Sequence, residues 1–217
     1  MTTLLRLDAS VRREGSVSRA VADTFQDTLV TDLGAQVVHR DLALDPLPPL
    51  AWTHTAATRG LPEDQRTPEQ QLAYDLAAEL ADELLAADAL VVAVPLYNYG
   101  VSQHLKTWFD LVIADPRFAP GEQPRPGLPT TLVVARGGGY GEGTPKEGWD
   151  HALPYYRRIL ADVWGFDLTV IEAELTLAHV VPAMEELRPM ATELQERAHG
   201  DAADHARSLG RRLRPAA

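Results

Sequence analysis

The sequence predicts an α/β fold: a five-stranded parallel sheet of order 2-1-3-4-5, covered by helices on both faces as a three-layer sandwich. Three observations predict it. Short apolar runs of strand length alternate along the chain with segments whose apolar residues recur at helical spacing, the pattern of repeated βαβ units. The runs are continuously apolar, as expected of strands buried on both faces. The segments richest in chemistry follow the first, third and fourth strands, which surround the switch point of that strand order. A chain of 217 residues is long enough for one continuous core. No linker, internal repeat or low-complexity tract divides residues 1–217, so a single domain is expected.

Thr2–Leu7 is short and leucine-rich and reads as the first strand. Val17, Val21, Phe25, Leu29 and Leu33 then recur every four residues and form one helix face, which Gly34 ends at the position where a left-handed residue is favoured. Ala35–His39 is the second strand. A proline-rich excursion follows from Asp45 to Pro62, with one short helix near Trp52. Thr67, Pro68 and Gln70 carry the capping-box spacing of a helix start, and Leu72, Leu76, Leu80 and Leu84 are assigned to its buried face. Ala89–Val94 is the central strand. Val101, Leu105, Trp108 and Val112 mark the next helix, and Thr130–Ala135 the fourth strand. A helix over about 150–164 turns Leu153, Tyr156, Ile159, Leu160 and Val163 inward. Leu168–Ile171 is the fifth strand. From Pro182 the chain reads as helical, with breaks expected at Pro189 and Gly200, and ends in a basic tail of Arg207, Arg211, Arg212 and Arg214.

Composition excludes several functions. Apolar residues make up 45% and charged residues 24%, which is ordinary for a globular domain. The chain has no cysteine, so disulfides, thiolate metal sites and cysteine nucleophiles are excluded, and a reducing compartment, the cytoplasm, is expected. Met1–Asp8 has no basic stretch followed by an apolar run, so no signal peptide is expected. No apolar stretch nears the roughly 20 residues that span a bilayer. A formal charge of −11 repels phosphate backbones, which disfavours nucleic acid as a partner. There is no G-x-S-x-G elbow or H-E-x-x-H helix. His39, His54, His104, His151, His179, His199 and His205 show no metal-ligand spacing.

Ligands of an open parallel sheet bind beyond the carboxyl ends of its strands, so the segments there carry the functional reading. The first, Asp8–Ser18, offers the hydroxyls of Ser10, Ser16 and Ser18 and the free amides of a helix N-terminus beside Val17, both suited to a phosphate. It lacks the lysine of a Walker motif and the glycines of a dinucleotide site, so a mononucleotide fits better; an ordinary serine cap would look the same. Arg12, Arg13 and Arg19 are read as solvated surface residues. The second segment, Pro95-Leu96-Tyr97-Asn98-Tyr99-Gly100-Val101-Ser102, places aromatics around an asparagine, which can line a flat ring and hydrogen-bond its edge; a turn with capping residues and buried aromatics is the alternative. The third, Ala135-Arg136-Gly137-Gly138-Gly139-Tyr140-Gly141-Glu142-Gly143, lets backbone approach a ligand closely and offer its amides; a flexible connecting loop would look the same.

Together these segments resemble the FMN-dependent NADH-azoreductases, flavodoxin-like homodimers related to quinone reductases. The resemblance runs in order along nearly the whole chain. Its most specific element is Pro95–Tyr99 followed by Leu105-Lys106-Thr107-Trp108-Phe109-Asp110; Arg136-Gly137-Gly138 comes second and the serine loop third. It implies that Ser10, Ser16, Val17 and Ser18 contact the FMN phosphate. Leu96, Tyr97, Asn98 and Tyr99 would line the isoalloxazine, and Ala135, Arg136, Gly137 and Gly138 would meet its polar edge. The resemblance further implies a ping-pong cycle in which NADH or NADPH delivers hydride to the flavin and a quinone or azo compound then takes its place. The flavin carries the chemistry, so no catalytic side chain is expected. Two departures bear on the substrate: the segment Asp115–Gly127 is shorter than the family's usual insertion there, and Ala135 stands where a serine is common. Trp164 is read as a buried helix aromatic rather than a pocket residue. The alternatives are a flavodoxin-type electron carrier and a flavin-binding interaction domain without nicotinamide turnover. The chain length and the excursion over 45–66 favour a dimeric enzyme over the electron carrier, and the colour of the purified protein decides for or against an interaction domain. A hydrolase lacks any metal cluster or activated nucleophile to support it.

Overall fold

The structure, a computed structural model, describes residues 1–58 and 60–214. Five parallel strands, β1 (Thr3–Asp8), β2 (Gln36–Asp41), β3 (Ala89–Pro95), β4 (Pro129–Ala135) and β5 (Asp167–Ala173), form one sheet in the order β2-β1-β3-β4-β5. The predicted fold class and strand order are therefore those observed. The register aligns the carboxyl ends: Asp8 lies opposite Asp41 and Ala93, and Ala135 opposite Pro95 and Ala173. Residues immediately after these strands consequently meet along one rim.

Six helices are described: α1 (Val17–Leu33), α2 (Ala51–Ala57), α3 (Pro68–Ala86), α4 (Gln103–Ala114), α5 (Leu153–Arg157) and α6 (Arg188–Leu213). On one face of the sheet, Val21, Phe25 and Leu29 of α1 and Ala198, Ala202, Ala206 and Leu209 of α6 pack against Leu4, Val91 and Val133. On the other, Leu80 and Leu84 of α3 and Trp108 and Phe109 of α4 pack against Leu5, Leu7, Val92 and Leu132. Every residue of β3 is buried, as its continuously apolar sequence requires.

Several local readings change. The buried face of α3 consists of Ala73, Ala77, Leu80, Ala81 and Leu84, while Leu72 is 68% exposed and Leu76 half-buried. Alanines let α3 approach its neighbours closely, so the small residues rather than every leucine define the face. Val101 precedes α4, whose cap is Ser102 accepting from the Leu105 amide at 3.3 Å. The helix expected over 150–164 starts at Leu153, because the Asp150 carboxylate accepts the amides of Ala152 and Leu153. It then continues as a π-helix over Arg158–Val163. Neither Pro189 nor Gly200 breaks α6. Pro189 occupies the first turn, where a missing N–H costs no hydrogen bond, and Gly200 is tolerated inside a long, well-packed helix. The excursion does contain the expected short helix at Trp52, α2.

Candidate functional site

The loop from β1 to α1 buries three hydroxyls, with Ser10, Ser16 and Ser18 all under one-tenth exposed. Helix α3 closes its start with a full capping box and α4 with Ser102, whereas Ser16 at the start of α1 makes no capping bond. The hydroxyls of Ser16 and Ser18 lie 3.4 Å apart, and the amides of Val17, Ser18 and Arg19 have no partner among the described residues. A helix start with free N–H groups, its dipole and adjacent hydroxyls is an anion site. These residues line a cleft of about 190 Å³.

Arg19 is not a solvated surface residue. It turns beneath the loop and donates to Asp41 at 2.5 and 2.8 Å, to Asp8 at 3.1 Å and to the Ser10 carbonyl at 2.7 Å. Its hydrogen bond with Asp41 raises its pKa. Burial pushes the Asp41 carboxyl upward, but hydrogen bonds from Arg19 and the Leu44 amide outweigh burial and hold it below the usual carboxylate range. Asp8, His39 and Asp41 bring ligand atoms within 4.8 Å of one another, yet the Arg19 guanidinium already fills the position a cation would take.

After β3, residues 97–100 form a tight turn in which the Gly100 amide donates to the Tyr97 carbonyl at 3.0 Å. Its two central residues, Asn98 and Tyr99, have φ of +49° and +64°, the conformation of a type I′ turn. Asparagine adopts it readily; tyrosine does so at a cost. The Tyr97 hydroxyl reaches the first loop, 3.4 Å from Ser10 Oγ and accepting from the Val11 amide at 3.3 Å. Tyr99 is 42% exposed and its ring meets Tyr140 and the edge of Trp149.

After β4, Arg136 is 4% exposed and pairs with Asp150, Glu172 and Glu174. Its amide donates to Ala173 and its carbonyl accepts from Thr176. Side chain and backbone are thus committed within the protein, and Arg136 lines neither cavity. Of the residues expected at a ring edge, Arg136 is thus turned away from both cavities, and it anchors the neighbours that line them. The carbonyls of Gly137 and Gly138 accept from Leu177 and Leu175, while their amides have no partner among the described residues.

Beside the serine cleft lies a larger cavity of about 530 Å³. Leu96, Gly137 and Leu177 line both. Ser10, Ser16, Val17, Ser18, Tyr97 and Ala135 line the smaller, and Asn98, Tyr99 and Gly138 the larger. The three sequence segments therefore converge on one compound site. Sequence reasoning missed the fourth wall, Thr176 and Leu177 after β5 together with Met184, Leu187, Met190 and Leu194. For Thr176 and Leu177, their position just after the carboxyl end of β5 was the available signal. Asp115–Gly127 lines neither cavity; its Phe118 packs against Trp164, which is buried among Trp108, Phe109 and Phe166. No helix among the described residues is long and apolar enough to cross a membrane.

Comparison with known proteins agrees with this geometry. A family model described as flavodoxin-like fold matches residues 2–198. The chain is 41% identical over 214 residues to an FMN-dependent NADH:quinone oxidoreductase of Frankia alni, covering 96% of this chain and 99% of that one. It is 39% identical over 217 residues to a protein of the same name from Streptomyces avermitilis, covering 98% and 99%. Its fold matches the crystal structure of an azoreductase from Bacillus anthracis with a TM-score of 0.75 at 24% identity, covering 95% and 99% of the two chains. The chain belongs to the flavodoxin-like family that includes these FMN-dependent NADH:quinone oxidoreductases.

Proposed function

We propose that this protein is an FMN-dependent NADH:quinone oxidoreductase that also reduces aromatic azo compounds, working by a ping-pong cycle. One observation carries the reading. Two sets of unpartnered backbone amides, at the start of α1 and at Gly137–Gly138, belong to adjoining cavities that share a wall. The donor set fits FMN. Buried hydroxyls and helix amides suit a phosphate, and the larger, mostly apolar cavity suits a flat ring. The Gly137 and Gly138 amides suit the polar edge of that ring. Ser10, Ser16, Val17 and Ser18 would hold the phosphate; Leu96, Tyr97, Asn98 and Tyr99 would line the ring; Ala135, Gly137 and Gly138 would meet its edge, with Arg136 positioning them. When bound, FMN supplies the acceptance of hydride from NADH and its delivery to the quinone.

The protein's own part is placement and exclusion. The rigid Tyr97–Gly100 turn and the Arg136-anchored loop fix the walls, so that a nicotinamide or an acceptor stacks in one orientation. Fixed amides at Gly137 and Gly138 favour negative charge at the ring edge without reorganising. We read the protein as a homodimer of a reducing, cytoplasmic compartment. Support for dimerisation comes from an apolar groove of about 340 Å³ between Pro48, Leu50 and Leu72, where Leu50 and Leu72 are exposed.

The test is direct. The purified protein should be yellow, lose its colour on anaerobic titration with NADH, and regain it on adding a quinone. A colourless protein that does not bind FMN at micromolar concentration overturns the reading. A yellow protein that NADH does not bleach favours an electron carrier instead.

A further inference from the structure

Lys146 stands apart from the other charged groups of the larger cavity. Its ammonium lies 5.4 Å from the ring centre of Tyr140 and 5.8 Å from that of Tyr99. It sits 3.4 Å from where a β-carbon on Gly138 would be. Among the described residues it makes no ion pair or hydrogen bond within the usual limits, unlike Arg19 and Arg136. Glu174, the other charged residue lining the cavity, is compensated by Arg136 at 3.1 Å and by the Tyr140 amide at 3.0 Å. Nearby Glu147 is exposed and accepts the Gly143 amide at 2.8 Å. The remaining walls, such as Leu175, Leu177, Met184 and Met190, are apolar. Among the described residues, a protein of net charge −11 thus presents a single uncompensated charge to this cavity, and that charge is positive.

We propose that Lys146 is a specificity-determining residue, selecting planar aromatic electron acceptors that carry an anionic group such as a carboxylate, a sulfonate or an ionised hydroxyl. The proposal rests on the function proposed above, with the acceptor stacking on the flavin ring inside the larger cavity. The two tyrosine faces hold the ammonium by cation–π attraction without neutralising it. An apolar wall opposite a fixed cation suits a flat ring with one negative substituent, and the partly dry cavity strengthens the attraction above its value in water.

The experiment compares wild type, Lys146→Met and Lys146→Arg with two naphthoquinones, neutral menadione and anionic 1,4-naphthoquinone-2-sulfonate, at saturating NADH. The quantity read is the ratio of their kcat/KM values, so the neutral acceptor corrects for any change common to both. Lys146→Met should lower the sulfonate-to-menadione ratio by roughly tenfold, as expected for one half-exposed ion pair in a cavity of intermediate dielectric. Lys146→Arg should restore it. Binding of naphthalene-2-sulfonate, which cannot be reduced, to the oxidised flavoprotein should weaken by a similar factor in Lys146→Met, as read from the flavin absorbance. The difference should shrink at high salt. A ratio and an affinity that both move less than threefold in Lys146→Met overturn the proposal while leaving the oxidoreductase reading intact. A wild type that turns over neither quinone defeats that reading itself.

Discussion

Gly137 is one of three residues at which the two cavities meet, and replacing it by alanine tests whether they form one site. A β-carbon there would lie 2.7 Å from Leu177 Cδ1 and 3.0 Å from its Cγ, closer than real side chains pack. The Leu177 backbone cannot retreat, because its amide donates to Gly137 and its carbonyl accepts from Val180 and Val181. Only the side chain can turn, and Leu177 lines both cavities, so relief of the clash fills space that FMN needs. Overpacking of this kind costs about 1–3 kcal/mol, equivalent to roughly fivefold to 150-fold weaker FMN binding if it falls on the bound state. Titration of the apoprotein by quenching of flavin fluorescence measures it. Leu177→Ala in the Gly137→Ala background should recover most of the loss, giving a coupling energy above about 1 kcal/mol. Gly200→Ala is the control, since nothing lies within 4 Å of a β-carbon there; it should leave FMN affinity alone and stabilise α6 by about 0.5–1 kcal/mol. A Gly137→Ala protein with wild-type FMN affinity within twofold, and no change in unfolding midpoint, would refute the steric reasoning.

Three further perturbations test separate parts of the rim. Arg136→Met leaves Asp150, Glu172 and Glu174 without their common cation and should cost about 3 kcal/mol in urea unfolding, the lower end for a broken buried pair because Glu172 can resolvate; a loss below 1 kcal/mol contradicts the anchoring role. Ser18→Ala should weaken FMN roughly tenfold to 100-fold, the loss of one charge-assisted hydrogen bond, and leave riboflavin affinity unchanged; equal losses for both ligands would place Ser18 elsewhere than at the phosphate. His205 on α6 stacks on Phe25 at 5.9 Å, and burial, with the nearby charge of Arg212, lowers its pKa. A base with a depressed folded pKa binds fewer protons than the unfolded chain, so its contribution is complete above the unfolded value near 6.5 and is lost as pH falls below it. His205→Phe should therefore flatten the fall in melting temperature between about pH 7 and pH 5; parallel curves for variant and wild type would exclude His205 as a source.

The sheet was legible because its strands are buried on both faces, so their apolar runs are unbroken and helices of clear periodicity separate them. The strand order followed from where the chemistry-bearing loops had to meet. Face assignment on α3 failed where the pattern counted leucines: Ala73, Ala77 and Ala81 point inward but carry too little apolar weight to outvote Leu72. Of the site, the three segments after β1, β3 and β4 were legible from residue type and place. Thr176 and Leu177 were not, because the loop after β5 has neither glycines nor aromatics to mark it. The turn of Arg136 into the protein was also hidden, since its carboxylate partners lie 14, 36 and 38 residues away and only the pairing of β4 with β5 brings two of them beside it.

Arg19 and Arg136, both turned inward at the rim, solve the same electrostatic problem. An acidic protein that binds a phosphate and a ring able to take negative charge must keep carboxylates from repelling them. Asp8 and Asp41 lie beneath the serine loop, and Arg19 satisfies both while holding the Ser10 carbonyl. Glu174 lines the larger cavity, and Arg136 satisfies it together with Glu172 and Asp150. In each case the guanidinium is turned inward, so it neutralises the local field instead of facing the cavities. The donors left facing the cavities are then backbone amides and hydroxyls, whose positions the fold fixes and whose strength does not depend on pH. A design that placed the arginines on the ligand would gain attraction but leave buried carboxylates unpaired, which costs more than a single exposed ion pair returns. The division of labour explains why an arginine and a glycine pair that adjoin in sequence, Arg136 and Gly137–Gly138, serve opposite sides of the same wall.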